Sequence, residues 1–155
     1  MCSSDLQKLR LVYVGAVSIQ DTWIEQIVKW VCCSRNEFCS LDIYTQRLDP
    51  ETSQFLSSWS GDRIRLHREG IGYDRLPEVL PQYDVGLILY RCKTLNFVHN
   101  APNKLFEYLM CGLEVWYPPC MQGVRPFART DMLPRVLEVD FEQLDKLPAD
   151  VYQRS

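Results

Sequence analysis

Short runs rich in valine, leucine and isoleucine alternate along this chain with segments of helical periodicity, and that alternation restricts the fold more than any other feature. Residues 9–14 (LRLVYV), ended by Gly15-Ala16, read as a buried strand. Ile24, Ile27, Val28 and Val31 then fall at i, i+3, i+4 and i+7 and predict a helix, with Asp21 or Thr22 as its N-cap. Residues 41–45 (LDIYT) form the next strand, and 50–59 a weaker helix that starts after Asp49. Residues 63–68 (RIRLHR) alternate as a short strand near a sheet edge does, and 69–72 break it. Leu76, Val79 and Leu80 give 73–82 a helical spacing. Residues 84–90 (DVGLILY) are the most hydrophobic strand and belong in the centre of the sheet. An irregular segment over 91–102 precedes a helix from Asn103 to about Cys111, stopped by Gly112. Residues 114–117 make one more strand, broken by Pro118-Pro119, 136–139 a last short strand and 141–147 a final helix.

Strands alternating with helices predict a parallel sheet with helices on both faces, a Rossmann-like three-layer α/β/α domain. The 155 residues suffice for one such domain, with its core over about 9–140 and a C-terminal tail over 141–155. A formal charge of −3, with 24% charged residues, argues against a nucleic-acid-binding face and against disorder. The apolar runs are far shorter than the ~20 residues of a membrane span, and the polar stretch 2–10 does not resemble a signal peptide. Seven cysteines without CxxC spacing support neither a zinc site nor a thioredoxin-type motif. Cys32, Cys33, Cys39, Cys92, Cys111 and Cys120 are expected to be mostly small hydrophobes in a reducing, cytoplasmic setting.

In parallel sheets ligands sit beyond the carboxyl ends of the strands, which directs attention to the loops 15–21, 69–73, 90–102 and 117–127. The helix after Pro102 is the most informative element. At 100° per residue Leu105, Phe106, Leu109 and Met110 occupy one side, the expected packing face, while Asn103, Lys104 and Glu107 cluster on the other. The free N–H groups at Asn103 and Lys104 lie at the positive end of the helix dipole and favour an anion such as a diphosphate. Lys104 would add a mobile positive charge, and Glu107 would accept hydrogen bonds from a vicinal diol such as a ribose. The plainer reading of the same residues is an N-cap followed by a solvated face.

The segment from Pro102 to Val115 resembles the signature Pro-x-Lys-x-x-Glu-Tyr-x-x-x-Gly-x-x-Val of the donor-binding half of two-Rossmann-domain (GT-B) glycosyltransferases, here Pro102, Lys104, Glu107, Tyr108, Gly112 and Val115. The likeness extends to 11–16 (LVYVGA), 72–77 (GYDRLP) and 83–87 (YDVGL), in the same order over roughly residues 10–118. It implies that Glu107 binds the ribose hydroxyls, that Asn103 and Lys104 hold the diphosphate, that the turn with Ile71 and Tyr73 faces the base, and that Gly15 lets its loop approach the phosphates. A tight strand-to-helix turn accounts for Gly15 equally well. The donor would be a nucleoside-diphosphate sugar such as a UDP-sugar, its sugar passing to an acceptor hydroxyl, with no further cofactor and, without a D-x-D motif, no metal.

The sequence departs from that pattern in several places. His99 stands eight residues before Glu107, where many relatives carry a second glutamate near the donor sugar; a catalytic part for His99, beside Lys104, is one reading and a surface histidine the other. Glu114 replaces a proline before the final strand. Arg125 and Arg129 are candidates for neutralising the leaving diphosphate, and Trp116 for lining the cleft. Only a donor-type half is represented, so the resemblance implies an N-terminal acceptor-binding domain or a separate chain as partner, with the isolated chain inactive and any membrane association peripheral. The alternative is a non-catalytic nucleotide-binding or partner-subunit module.

Overall fold

The computed structural model describes residues 7–153; Cys2 and most of the polar stretch 2–10 lie outside them. Six strands, β1 (Leu9–Val14), β2 (Cys39–Tyr44), β3 (Ile64–His67), β4 (Val85–Leu87), β5 (Glu114–Tyr117) and β6 (Val136–Glu138), form one sheet in the order β3-β2-β1-β4-β5-β6. Every neighbouring pair is parallel. The order reverses between β1 and β4, and at such a switch point the connections leave toward opposite faces and open a crevice.

The period-two alternation of β1 divides the core. Leu9, Leu11 and Tyr13 pack with α1 (Ile24–Val31) and Trp116 on one face of the sheet. Val12 packs on the other face with Leu76, Leu80, Leu105 and Tyr108. The α1 helix buries Ile24, Ile27, Val28 and Val31, the four residues whose spacing predicts it. Helix α2 (Pro50–Trp59) starts where Asp49 accepts the Thr52 N–H and Pro50 occupies the first turn.

Three segments differ from the sequence reading. Residues 73–82 are a short helix α3 (Leu76–Val79) between two 3-10 turns, because Pro77 and Pro81 interrupt the hydrogen-bond ladder. The irregular stretch after β4 contains a one-turn helix, α4 (Leu95–His99), ahead of α5 (Asn103–Met110). The expected helix over 141–147 is a single 3-10 turn (Leu144–Lys146), and a short helix α6 (Ala149–Tyr152) follows Pro148. β4 is also shorter than its hydrophobic run: the Ile88 N–H still donates to the Trp116 carbonyl of β5, but the chain then leaves the ladder to meet the loop before α1, where Leu89 accepts the Trp23 N–H and Asp21 the Arg91 N–H.

Cys92 and Cys120 are joined by a disulfide, their Cα atoms 6.1 Å apart, and so are not the free small hydrophobes expected of them. The reason is topological. β4 and β5 are adjacent, so the loops leaving their carboxyl ends run side by side. Cys32, Cys33 and Cys111 carry free thiols. Among the described residues no helix is long and apolar enough to cross a membrane.

Candidate functional site

The carboxyl edge at the β1/β4 switch point is built around α5. Tyr108, fully buried, donates its hydroxyl proton to the Leu87 carbonyl at 3.0 Å and accepts the Val14 N–H at 3.3 Å. Its ring occupies the space over Gly86, where any Cβ would overlap it. One turn earlier Lys104 donates from Nζ to the Val14 carbonyl at 2.7 Å. Two side chains four residues apart on α5 therefore take both backbone groups of Val14 and lock the helix to the end of β1.

Lys104 is thus not the mobile charge expected from its place on the helix. Its ammonium lies 4.3 Å from the Tyr13 ring centre and 4.8 Å from that of Tyr90. Burial pushes its pKa below the usual lysine range, against the opposing pull of Tyr90 and Glu107. The position of Lys104 also accounts for Gly15: at φ +128° a side chain would be strained, and its Cβ would stand 2.8 Å from Lys104 Nζ.

The packing face of α5 differs from the expected one as well. Leu105 and Tyr108 are buried and Leu109 half-buried, whereas Phe106 is 40% exposed and Met110 87% exposed. The polar anchors of Tyr108 and Lys104 rotate the helix away from the orientation that its apolar residues alone favour. Glu107 is half-buried, within electrostatic reach of Lys104, and its carboxylate accepts no hydrogen bond among the described residues. Asn103 is exposed at the start of the helix, where the Asn103 and Lys104 N–H groups meet no backbone acceptor among the described residues.

A cavity of about 310 Å³ opens at the ends of β1, β2 and β3, lined by Val14, whose carbonyl accepts from Lys104, and by Gly15, Ala16, Gln46, Arg47 and Ile71 among others. Gly15 and Ile71, named from the sequence, therefore face one space. A second cavity of about 310 Å³ lies on the other side of the 15–21 loop, between Ser18, Thr22, Tyr90 and Phe97. Tyr73 lines neither and is 78% exposed. His99 is exposed at the end of α4, its carbonyl packed against Gly123, where a Cβ could not fit.

Arg125 and Arg129 are engaged elsewhere. Arg125 donates to the Pro119 carbonyl and sits 3.4 Å from Glu138, and Arg129 donates to the Pro134 carbonyl at 2.6 Å. Trp116 is fully buried inside the sheet, its Nε1 donating to Glu114 Oε2 at 2.7 Å; Glu114 also pairs with Arg135 at 2.7 Å. A further polar cluster lies within the β2/β3 half, where buried Asp42 Oδ2 accepts from Tyr83 at 2.7 Å and lies 3.0 Å from His67 Nε2. The loop after β2, with Arg47, and the tyrosines flanking Lys104 do not figure in the sequence reading. The signal available for them was position: Tyr13 and Tyr90 sit at the ends of the runs 9–14 and 84–90, and residues 45–49 follow a strand parallel to β1.

No protein-family model matches the sequence, and no curated protein matches it. Among solved structures, the fold is similar to the pneumococcal O-GlcNAc transferase GtfA, crystallised with UDP and GlcNAc (TM-score 0.58, 19% identity, 92% of this chain and 27% of that one). It is likewise similar to a chain of the GtfA/B complex (TM-score 0.59, 15% identity, 95% and 27% coverage). The chain spans about a quarter of the length of each of these structures. At these identities the likeness establishes the Rossmann-like α/β fold.

Proposed function

We propose that this chain is the donor-binding domain of a glycosyltransferase, holding a nucleoside-diphosphate sugar at the carboxyl edge of its sheet. The observation that carries the reading is a helix start at the β1/β4 switch point with open N–H groups and a half-buried carboxylate one turn on, its Lys104 ammonium bound to the carbonyl of Val14, a residue that also lines the cavity with Gly15 and Gly70. Glu107 would accept hydrogen bonds from the ribose diol, the N–H groups of Asn103 and Lys104 would meet the diphosphate, and Ile71 would border the base. Lys104, held against Val14, would act as a fixed positive charge behind the site. Transfer to an acceptor hydroxyl would need a second domain or chain to supply the acceptor and a base. The fold likeness to a transferase crystallised with UDP and GlcNAc supports the same class.

A non-catalytic nucleotide-binding module is the second reading, favoured by the tethering of Lys104 and by the exposure of His99, the two residues put forward for catalysis. A thermal-shift panel with UDP, GDP, dTDP and ADP tests the binding that both readings share, since a ligand of the folded state raises its melting temperature by mass action. One of the four is expected to stabilise the chain at millimolar concentration. No shift with any of them would remove both readings. Turnover of the corresponding radiolabelled sugar nucleotide, with acceptors and an acceptor-domain partner, separates the enzyme from the module.

A further inference from the structure

We infer that Arg47, in the loop after β2, is the side-chain cation that receives the phosphates of the bound nucleotide. The inference rests on the donor-binding reading and adds the residue that discriminates a phosphorylated ligand from a bare nucleoside. An anionic ligand at this edge needs a positive side chain free to turn toward it, and the cations nearest the cleft are committed. Lys104 is tied to the Val14 carbonyl between two tyrosine rings. Arg91 donates to the Thr22 carbonyl and lies over the Trp23 ring, while Lys93 pairs with Asp21 at 3.4 Å. Arg68 donates to Ser53 and Ser57, and Arg125 is held by Pro119 and Glu138. The 15–21 loop itself holds no lysine or arginine and ends in Asp21.

Arg47 differs from all of these. It lines the cavity shared with Gly15, Ala16 and Ile71, and its guanidinium has no hydrogen bond, ion pair or ring contact among the described residues. The root of the loop is nonetheless fixed. Thr45 donates its N–H to the His67 carbonyl and its hydroxyl proton to the Arg47 carbonyl at 3.3 Å, and Gln46 Nε2 donates to the Glu69 carbonyl at 2.9 Å. An anchored loop carrying an unclaimed planar fork at a cavity wall suits bidentate contact with phosphate oxygens.

The test is calorimetric titration of wild type, Arg47→Ala and Arg47→Lys with UDP, UMP and uridine, and with the same trio of any other base preferred in the thermal panel. Wild type is expected to bind the diphosphate more tightly than the nucleoside. Arg47→Ala should lose at least about tenfold in diphosphate affinity while keeping its nucleoside affinity, with Arg47→Lys between the two. Weakening by added salt should be steeper for wild type than for Arg47→Ala. Equal diphosphate affinity in wild type and Arg47→Ala overturns the role of Arg47 and leaves the donor-binding reading standing. An equal loss for diphosphate and nucleoside overturns it too, because it marks a packing role. Failure of wild type to bind any member of the series overturns the donor-binding reading and this one together.

Discussion

Glu107 and Gly15 carry the sharpest consequences for single residues. The Glu107 carboxylate accepts no hydrogen bond among the described residues, so the fold does not require it as an acceptor. Glu107→Ala should therefore keep the far-ultraviolet circular dichroism of wild type and weaken nucleotide binding by about 1–3 kcal/mol, the scale of charge-assisted hydrogen bonds. Unfolding of the variant with unchanged affinity in the folded remainder would make the residue structural. Gly15 has the opposite profile, because its φ of +128° and the Lys104 ammonium that a Cβ there would meet both belong to the folded chain. Gly15→Ala should cost about 1–3 kcal/mol in denaturant unfolding. Combined with Lys104→Met, which costs stability of its own by releasing the Val14 carbonyl, the loss should be smaller than the sum of the two single losses, since the doubly altered chain lacks one of the colliding partners; strictly additive losses would show that backbone strain alone is responsible.

Among the elements, the loops after β4 and β5 are coupled by the Cys92–Cys120 bridge, which spans 28 residues of sequence. Cross-linking across that separation restricts the unfolded chain by about 3.5 kcal/mol in the chain-entropy account. Reductant, or Cys92→Ser, is expected to lower the melting temperature, and reductant should have no further effect on Cys92→Ser. Identical melting with and without reductant would show that the bridge contributes nothing. Helix α5 shows how much of an element is readable in one dimension. Its limits follow from Pro102 and Gly112, and its existence from spacing. Its rotation does not, because two polar side chains, Tyr108 and Lys104, reach partners on β1 and β4 that are distant in sequence. A count of apolar residues places Phe106 and Met110 inward, and these contacts turn them toward solvent.

For the molecule as a whole, the buried tyrosines set the alkaline limit. Burial raises the pKa of Tyr13, Tyr83 and Tyr108, and Tyr44 and Tyr117 shift the same way. These groups keep their protons in the folded chain after the unfolded chain has lost them, so their contribution is complete below about pH 10 and declines above it. Lys104 has the reverse sign. Its lowered pKa means that the folded state disfavours its charge, a penalty that fades as pH approaches the usual lysine value. Stability should thus hold or rise slightly toward pH 10 and then fall steeply, because several tyrosines outweigh one lysine. Tyrosinate absorbance of the buried set should appear together with the loss of circular dichroism. Ionisation of that set in a chain that keeps its dichroism would contradict this account.

The sequence by itself determined the class of fold. Hydrophobic periodicity is a local property, and the runs 9–14, 114–117 and 136–139, with the spacing of Ile24 to Val31, specify strands and helices whose alternation leaves few arrangements other than a parallel sheet. The loops and motif of the sequence also raise the expectation of a site at the carboxyl edge formed by Gly15, Ile71, Tyr73, His99, Asn103, Lys104 and Glu107. Only the tertiary structure decided the contacts and exposure of these residues, because hydrogen-bond partners depend on groups far apart in the chain. It turned Lys104 inward onto Val14, joined Cys92 to Cys120, left Tyr73 and His99 in solvent, and set Arg47 on the cavity wall with its charge unclaimed.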